Sequence, residues 1–175
     1  MQIQVDENIT LDKIKESDFD NIVKYLNDKE ISDNTLIIPF PYNIEDAKWW
    51  KNHLDEFETK NKVQKGWIIS HRNAGAIGCI SLNNTYGLSS HKNEIGYWLA
   101  KPFWNKGIMS KVIMKFTDYC LTDLNFDRIE APVFHFNKRS EKVLQKSGFE
   151  LEGTLRKFTK KGHQLIDVKM YSKTK

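Results

Sequence analysis

A single glycine stands just before a predicted helix, in the stretch WNKGIMS at residues 104–110. Apolar residues recur at helical spacing from Ile108 onward. The first amide groups of a helix have no partner inside it and attract anions, and Gly107 lacks a side chain where an anion would approach the backbone. Lys106 adds a positive charge. The stretch therefore indicates either a tight turn or a seat for phosphate groups.

Two polar residues stand at the start of another predicted helix, after the strand RIEAPVF at residues 128–134. Asn137 has the position of an N-cap, and Val143 and Leu144 form the apolar side of this short helix. Ser140 follows three residues after the cap, where its hydroxyl could donate a proton to a leaving thiolate. The alternative is that both residues serve only the helix end.

A proline interrupts RIEAPVF, which otherwise has the apolar pattern of an interior strand. Because Pro132 has no N–H to donate, it belongs at a sheet edge, at a bulge or where two strands part. If the strand EIGYWLA at residues 94–100 is a parallel neighbour that parts from RIEAPVF at Pro132, a cleft opens above the phosphate seat. The alternative is a simple strand end.

The elements that would position these residues follow from the period of the apolar residues. Their order is strand, two helices, three strands, helix, strand, helix, two strands, which predicts an α+β (mixed α/β) fold with a mixed sheet and helices on both faces. The second helix restarts the chain at Asn43 and carries Trp50 on its apolar face, whereas Trp49 lies off that face. The last two strands form a hairpin that turns at Lys161 and Gly162.

The composition is that of one globular domain spanning residues 1–175, with 39% hydrophobic residues for its core. No signal peptide and no run of roughly 18 apolar residues is seen, so we expect a cytoplasmic protein without membrane contact. Cys79 and Cys120 have apolar neighbours and no ligand spacing, which indicates buried thiols and no metal. The net charge of +4 mildly favours acidic partners, but the basic cluster at 156–163 is short, so we expect a solvated hairpin and no direct nucleic-acid binding.

Three segments together resemble the GNAT superfamily of acetyl-CoA-dependent N-acetyltransferases. They are EIGYWLAKPFWNKGIMSKVI at 94–113, NKRSEKVLQKSGFELEG at 137–153 and GHQLIDVKMY at 162–171. Within the superfamily, the chain is most similar to the ribosomal-protein N-acetyltransferase (RimJ/RimL-type) branch, from about Thr10 to Tyr171. The resemblance implies a mixed, mostly antiparallel sheet of seven strands that is splayed between its fourth and fifth strands.

The resemblance also implies where acetyl-CoA binds. The family's phosphate loop, [QR]xxGx[GA], falls on residues 104–109, where Trp104 replaces the glutamine or arginine and Met109 replaces the second small residue. Main-chain amides make the phosphate contacts, so the role is kept, with Met109 directed away from the coenzyme or the loop slightly widened. Residues 98–100 would offer main-chain groups to the pantetheine and the acetyl carbonyl. The implied coenzyme-binding residues are Trp98, Leu99, Ala100, Trp104, Asn105, Lys106, Gly107, Ile108, Met109, Ser110 and Asn137.

The reaction implied by the resemblance is direct attack of a neutral amine on the thioester, without a covalent enzyme intermediate. Because amines are mostly protonated at neutral pH, a base is needed. Glu94 is the candidate base, directly or through water, although a surface ion pair would also explain it. Ser140 is the candidate acid for the coenzyme A thiolate.

The acceptor implied by the resemblance is the N-terminal α-amine of a protein, such as a ribosomal protein. Residues 36–57 and the last hairpin around Phe158 would wall the acceptor cleft. One alternative is a small-molecule amine, for instance an amino acid, a polyamine or an antibiotic. A second alternative is a coenzyme A-binding module without catalysis. Exposed aromatic residues would also suit a homodimer.

Overall fold

The computed structural model describes residues 2–83 and 90–175, which contain eight strands and five helices. The strands are β1 (Ile3–Gln4), β2 (Ile9–Asp12), β3 (Gly66–His71), β4 (Gly75–Leu82), β5 (Lys92–Leu99), β6 (Arg128–Phe134), β7 (Glu150–Lys161) and β8 (Gln164–Thr174). The helices are α1 (Phe19–Leu26), α2 (Lys29–Asp33), α3 (Ile44–Asn61), α4 (Ile108–Thr122) and α5 (Lys138–Lys146). Short 3₁₀ turns lie at Glu16–Asp18 and Lys101–Phe103.

The strands are hydrogen-bonded in the order β1-β2-β3-β4-β5-β6-β8-β7. The pair β5–β6 is parallel, and the pairs of β2 with β1 and β3, of β3 with β4, and of β8 with β6 and β7 are antiparallel. The predicted mixed α/β fold with a mostly antiparallel sheet is therefore confirmed. The sheet has eight strands instead of seven because the two-residue β1 precedes the first predicted strand, so the predicted fourth and fifth strands are β5 and β6.

The chain forms two compact units, and the first comprises Met1–Asn83 with Gly96–Ile108. Its core contains apolar side chains of α1, α3, β3, β4 and the end of β5, including Ile22, Ile68 and Trp98. Helix α1 contributes Phe19, Ile22 and Leu26 at the spacing of one helix face. As predicted, Trp50 packs against this core, whereas the Trp49 side chain is 66% exposed.

The second unit comprises Asn84–Ile95 with Met109–Lys175. Helix α4 buries one face completely, and β6 is buried through Ile129 and Ala131. Strands β7 and β8 form the predicted hairpin, whose turn lies at Gly162–His163, one residue later than expected. Gly162 has a positive φ of 58°, which glycine adopts without steric strain. The single domain expected for residues 1–175 stays a prediction.

The parallel ladder between β5 and β6 is short. It contains the pairs Lys92–Arg128, Asn93–Ile129 and Glu94–Glu130, and no later pair is formed between these two described strands. Strand β6 continues beyond this point and pairs with β8 through Phe134, with Pro132 opposite Met170. The ladder therefore ends two residues before Pro132, as expected where a residue without an N–H ends a pairing.

The predicted caps at Asn43 and Asn137 are confirmed. Asn43 Oδ1 accepts hydrogen bonds from the amides of Glu45 and Asp46, at 2.9 and 3.1 Å, and the Asp46 carboxylate accepts from the Asn43 amide at 2.8 Å. This reciprocal arrangement fixes the start of α3. No helix in the described part of the chain has both the length and the apolar character required to cross a membrane.

Candidate functional site

The loop before α4 has two residues in the left-handed region of backbone conformation. Asn105 has φ 59° and Gly107 has φ 74°. Asparagine and glycine are the residues that tolerate this region best. A Cβ atom at Gly107 would meet no atom within 4 Å, so glycine is required here by the backbone conformation and not by a crowded neighbour. The open space leaves the main chain accessible to a ligand.

The amide groups at the start of α4 are available to an anion. In the part of the chain that the structure describes, the amides of residues 105–110 donate no hydrogen bond outside helices and strands. The first turn of α4 contains no acidic residue. Lys106 is exposed, and its Nζ lies 5.5 Å from the centre of the Phe103 ring. Unpaired amides, the positive end of a helix dipole and a nearby lysine together favour a bound phosphate.

Trp104 is half-buried and ties this loop to the end of β5. Its indole Nε1–H donates a hydrogen bond of 2.6 Å to the main-chain oxygen of Leu99. The ring also packs against the core of the first unit, and Lys101 Nζ lies 5.8 Å from its centre. The residue that departs from the family pattern therefore closes the loop through a side-chain hydrogen bond that the sequence did not reveal.

The end of β5 has most of its main-chain groups committed. The Ala100 amide donates to the Ile77 oxygen at 2.8 Å, and the Ala100 oxygen accepts from the Phe103 amide at 2.9 Å. Successive residues of a strand direct their main-chain groups to opposite sides. The Leu99 N–H therefore points away from β4, on the same side as the Leu99 oxygen that Trp104 binds. Among residues 98–100, Leu99 N–H is the best-placed donor for a ligand.

A close approach of β4 holds this strand end in place. A Cβ atom at Gly78 would lie 2.5 Å from the main-chain oxygen of Trp98 and 3.2 Å from the Leu99 Cα atom. Both contacts are with backbone, which cannot move aside as a flexible side chain could. Gly78 is therefore needed for the position of Trp98 and Leu99, although nothing in the sequence marked it.

Two further predicted residues lie at the start of α4 in the second unit. Met109 is only 6% exposed, so its side chain is directed into the protein, as its replacement of a small residue required. The Ser110 main-chain oxygen accepts a hydrogen bond of 3.3 Å from the hydroxyl of Ser147, which follows α5. The start of α4 and the end of α5 are thus joined directly.

Asn137 and Ser140 form the predicted cap of α5. Asn137 Oδ1 accepts a hydrogen bond of 3.1 Å from the Ser140 amide, and the Asn137 amide donates to the Phe134 oxygen at 2.8 Å. Both residues are half-buried. The cap uses the oxygen of the Asn137 side chain, which leaves its Nδ2 group as the donor for a ligand.

Glu94 lies beside a second carboxylate. Glu94 and Glu130 are register partners in the parallel strands β5 and β6, so their side chains leave the sheet on the same face. Lys92 Nζ lies 3.0 Å from Glu130 Oε1, and Arg128 Nε lies 2.8 Å from it. Burial alone would raise the pKa of Glu130, but the hydrogen bonds from Arg128 and Lys92 outweigh it and lower that pKa.

Arg128 extends this group toward the edge of the sheet. Its Nη1 donates to Glu152 at 2.6 Å, and the Ser172 hydroxyl donates to the same Glu152 oxygen at 2.7 Å. These bonds lower the pKa of Glu152 to about 2. Glu130 and Glu152 are therefore both paired with cations. The role of Glu94 as a base stays a prediction.

A buried carboxylate next to Ser140 was missed at the level of sequence. Glu141 is 8% exposed and lies 2.9 Å from Lys138 Nζ and from Lys169 Nζ. Burial would raise its pKa, but the hydrogen bonds from Lys169 and Lys138 lower it. The Tyr171 hydroxyl also lies 3.5 Å from Glu141. A charged residue on the helix side that carries Leu144 was the available signal. This ion pair joins the start of α5 to β8.

The two cysteines are buried thiols, as predicted. Cys79 is 3% exposed and Cys120 is fully buried, and burial raises the pKa of both thiols. Neither residue is therefore suited to act as a thiolate nucleophile. Within residues 2–83 and 90–175, no group of three His, Cys, Asp or Glu residues could hold a metal ion.

Comparison with known proteins defines the class of this protein. Residues 8–150 match the model of the acetyltransferase (GNAT) domain. The chain is 32% identical over 172 residues to an uncharacterized N-acetyltransferase, p20, of Bacillus licheniformis. The aligned residues cover 98% of this chain and 96% of the relative. It is 25% identical over 159 residues to the L-amino acid N-acetyltransferase AaaT of Escherichia coli, covering 90% and 93% of the two chains.

The fold is also that of solved GNAT structures. The ribosomal L7/L12 α-N-protein acetyltransferase RimL, in complex with coenzyme A, superposes with a TM-score of 0.87 at 19% identity, covering 99% of this chain and 98% of that one. The protein belongs to the GNAT family of acetyltransferases. It is an acetyl-CoA-dependent N-acetyltransferase, an acyltransferase with the mixed α/β GNAT fold.

Proposed function

We propose that this enzyme transfers the acetyl group of acetyl-CoA to the N-terminal α-amine of a polypeptide, such as a ribosomal protein. The observation that supports the coenzyme part is the start of α4, where Gly107 is left-handed and the neighbouring amides have no described partner outside helices and strands. The RimL enzyme, whose structure superposes over nearly the whole chain, supports the acceptor part. An acceptor of this kind would place the enzyme in the cytoplasm.

In this proposal, the amides of residues 105–110 and Lys106 bind the diphosphate, because the Trp104 amide already donates to the main-chain oxygen of Lys101. Asn137 Nδ2 contacts the pantetheine arm, since its Oδ1 is used by the cap of α5. Trp98, Leu99 and Ala100 flank the thioester, and the Leu99 N–H donates to the carbonyl oxygen, where negative charge develops in the transition state. A donor held by the backbone does not have to reorganise during the reaction.

The proton transfers are assigned to two side chains. Glu94 takes a proton from the ammonium group of the acceptor, directly or through water, so that a neutral amine attacks the carbonyl carbon. The C–N bond forms and the C–S bond breaks. The Ser140 hydroxyl donates a proton to the departing thiolate and regains one, through water, from the newly acetylated nitrogen. The buried thiols of Cys79 and Cys120 take no part, which agrees with a transfer without a covalent enzyme intermediate.

A free amino acid is the second candidate acceptor. The E. coli L-amino acid N-acetyltransferase matches 90% of this chain at 25% identity, so the relatives include enzymes for both kinds of acceptor. A GNAT fold supports many acceptors because the variable walls of the cleft select them. The two candidates differ in the amine acceptor and share the coenzyme, so the experiment must distinguish between acceptors.

An acceptor screen tests the proposal. The purified protein is incubated with acetyl-CoA and peptides that differ in their first residue, with free amino acids and with polyamines, and thiol release is recorded. We expect turnover with peptides and no more than background with their N-terminally blocked forms. Turnover with free amino acids alone would favour the second candidate. Tight binding of acetyl-CoA without turnover of any amine would indicate a binding module.

A further inference from the structure

The tip of the β7–β8 hairpin has a formal charge equal to the net charge of the protein. Residues 153–165, here called the cationic hairpin, contain four Lys and Arg residues and no Asp or Glu. The remaining chain has 23 Lys and Arg against 23 Asp and Glu, so its formal charge is zero. The net charge of +4 is therefore a local feature of one hairpin and not a property of the whole surface.

Three of the four cations of this hairpin are exposed to solvent. Arg156, Lys157 and Lys160 are exposed and make no ion pair with any residue in the described ranges. Apolar side chains lie among them: Leu155, Phe158 and Leu165 are 37%, 54% and 54% exposed. A surface of unpaired cations and exposed apolar groups attracts a ligand that has both acidic and apolar side chains.

A wide bulge presents these cations. Leu155 pairs with Val168 and Thr159 pairs with Ile166, so three residues of β7 face the single residue Asp167 of β8. The Asp167 carboxylate accepts a hydrogen bond of 2.7 Å from the Lys157 amide, and Lys157 has φ 50°. The Asp167 carboxylate is thus bonded to the main chain of the bulge, and among the described residues it forms no ion pair with Arg156, Lys157 or Lys160.

Asp167 also joins the bulge to the end of β6. The His135 amide donates to the main-chain oxygen of Asp167 at 3.0 Å, and the turn that follows leads to Asn137 and α5. The cationic bulge therefore lies beside the turn that leads to Asn137 and to Ser140 in the first turn of α5, at the carboxyl end of β6. In the proposed mechanism, a polypeptide whose amine attacks the thioester next to Ser140 would direct its following residues toward the hairpin.

We propose that the cationic hairpin binds an acidic segment of the acceptor polypeptide, directly after the residue that is acetylated. This inference rests on the proposed function, since it assigns the chemistry of the acceptor beyond its N-terminal amine. A polypeptide is favoured over RNA because the positive charge is confined to thirteen residues that contain a single aromatic side chain, Phe158, whereas RNA binding calls for a longer basic stripe with several aromatic residues.

The test measures the binding of fluorescently labelled peptides in the presence of coenzyme A. The peptides share their first two residues and differ at positions four to seven, which are either acidic or neutral. We expect the acidic peptide to bind about tenfold more tightly at low salt, and the difference to shrink as salt screens the exposed charges. The double variant Arg156→Glu/Lys160→Glu should remove the preference.

Two controls make the result specific. The variant Lys60→Glu/Lys115→Glu makes the same change of charge on exposed lysines of α3 and α4 and should keep the preference. The affinity for acetyl-CoA, measured separately by calorimetry, should be unchanged in the hairpin variant. Thermal unfolding should show that both variants fold, because all four side chains are exposed.

Three results would overturn the inference. Equal binding of acidic and neutral peptides would remove its basis, even if the enzyme acetylates both and the proposed function stands. A loss of acetyl-CoA affinity in the hairpin variant would assign the cations to the coenzyme. Tighter binding of single-stranded RNA, which displaces the acidic peptide and no longer binds the hairpin variant, would assign the cations to RNA recognition. If the acidic peptide binds but is not acetylated, the proposed function is contradicted, and the binding of acidic segments by the hairpin still stands.

Discussion

The indole N–H of Trp104 donates a hydrogen bond of 2.6 Å to the main-chain oxygen of Leu99, which joins the loop before α4 to the strand end that would hold the thioester. The same peptide unit donates its other group, the Ala100 N–H, to Ile77. The peptide between Leu99 and Ala100 is thus held at both ends. This arrangement keeps the adjacent Leu99 N–H in a defined direction, as a preorganised donor requires.

Replacing Trp104 by phenylalanine removes this hydrogen bond and should therefore lower kcat about tenfold. A loss of about 1.4 kcal/mol, the usual contribution of one hydrogen bond, corresponds to this change in rate. The KM for acetyl-CoA should change less, because the main-chain donors of the loop remain. Steady-state kinetics would separate the two parameters. A variant with an unchanged melting temperature and unchanged kcat would show that this hydrogen bond does not position the donor.

Replacing Gly107 by glutamate should abolish acetyl-CoA binding in calorimetry. The side chain would stand in the open space above the amides, strain a backbone at φ 74°, and bring a negative charge to the diphosphate. Gly162→Glu is the matched control, since Gly162 also has a positive φ and open space around it. Equal acetyl-CoA affinity in the two variants would remove the phosphate site from this loop.

Replacing Glu94 by glutamine should lower kcat about 100-fold, the usual contribution of a general base, with little change in acetyl-CoA affinity. Glu150→Gln is the control, because Glu150 is an exposed carboxylate at the start of β7. If both variants turn over at the wild-type rate, Glu94 serves only as a charged surface residue.

Replacing Ser140 by alanine should lower kcat about tenfold through slower protonation of the thiolate. The cap of α5 survives this change, because Asn137 Oδ1 binds the main-chain amide of residue 140 and not its hydroxyl. Circular dichroism should therefore report an unchanged helix content. An acetyl donor with a more acidic leaving thiol should reduce the defect, and a defect of the same size with that donor would argue against the assignment.

Replacing Glu141 by alanine should destabilise the second unit by about 2 kcal/mol, because Lys169 and Lys138 lose their buried partner. Chemical denaturation would measure this loss. The folded pKa of Glu141 is lowered from 4.5, so its stabilisation is fully present above pH 4.5 and is lost as the pH falls through the lowered pKa. The alanine variant should accordingly lose less stability than the wild type on acidification below pH 4.5.

Local features of the chain were predictable because their cause lies within a few residues. The capping side chains of Asn43 and Asn137, the glycine turn before α4 and the order of the longer strands and helices all follow from short-range spacing. The extra strand β1 and the five-residue helix α2 were missed because so few residues give no period. The turn of the last hairpin was misplaced by one residue because glycine marks a turn without fixing its register.

By itself, the sequence determined the family, the elements and the loop that would bind the coenzyme, since these depend on residue types and on distances along the chain. Tertiary structure alone decided which groups are already bound: the Leu99 oxygen by Trp104, the Glu130 carboxylate by Lys92 and Arg128, and the buried Glu141 by Lys169. These partners lie between two and 38 residues apart in the chain. Their pairing depends on the packing of strands and helices, which no local pattern encodes.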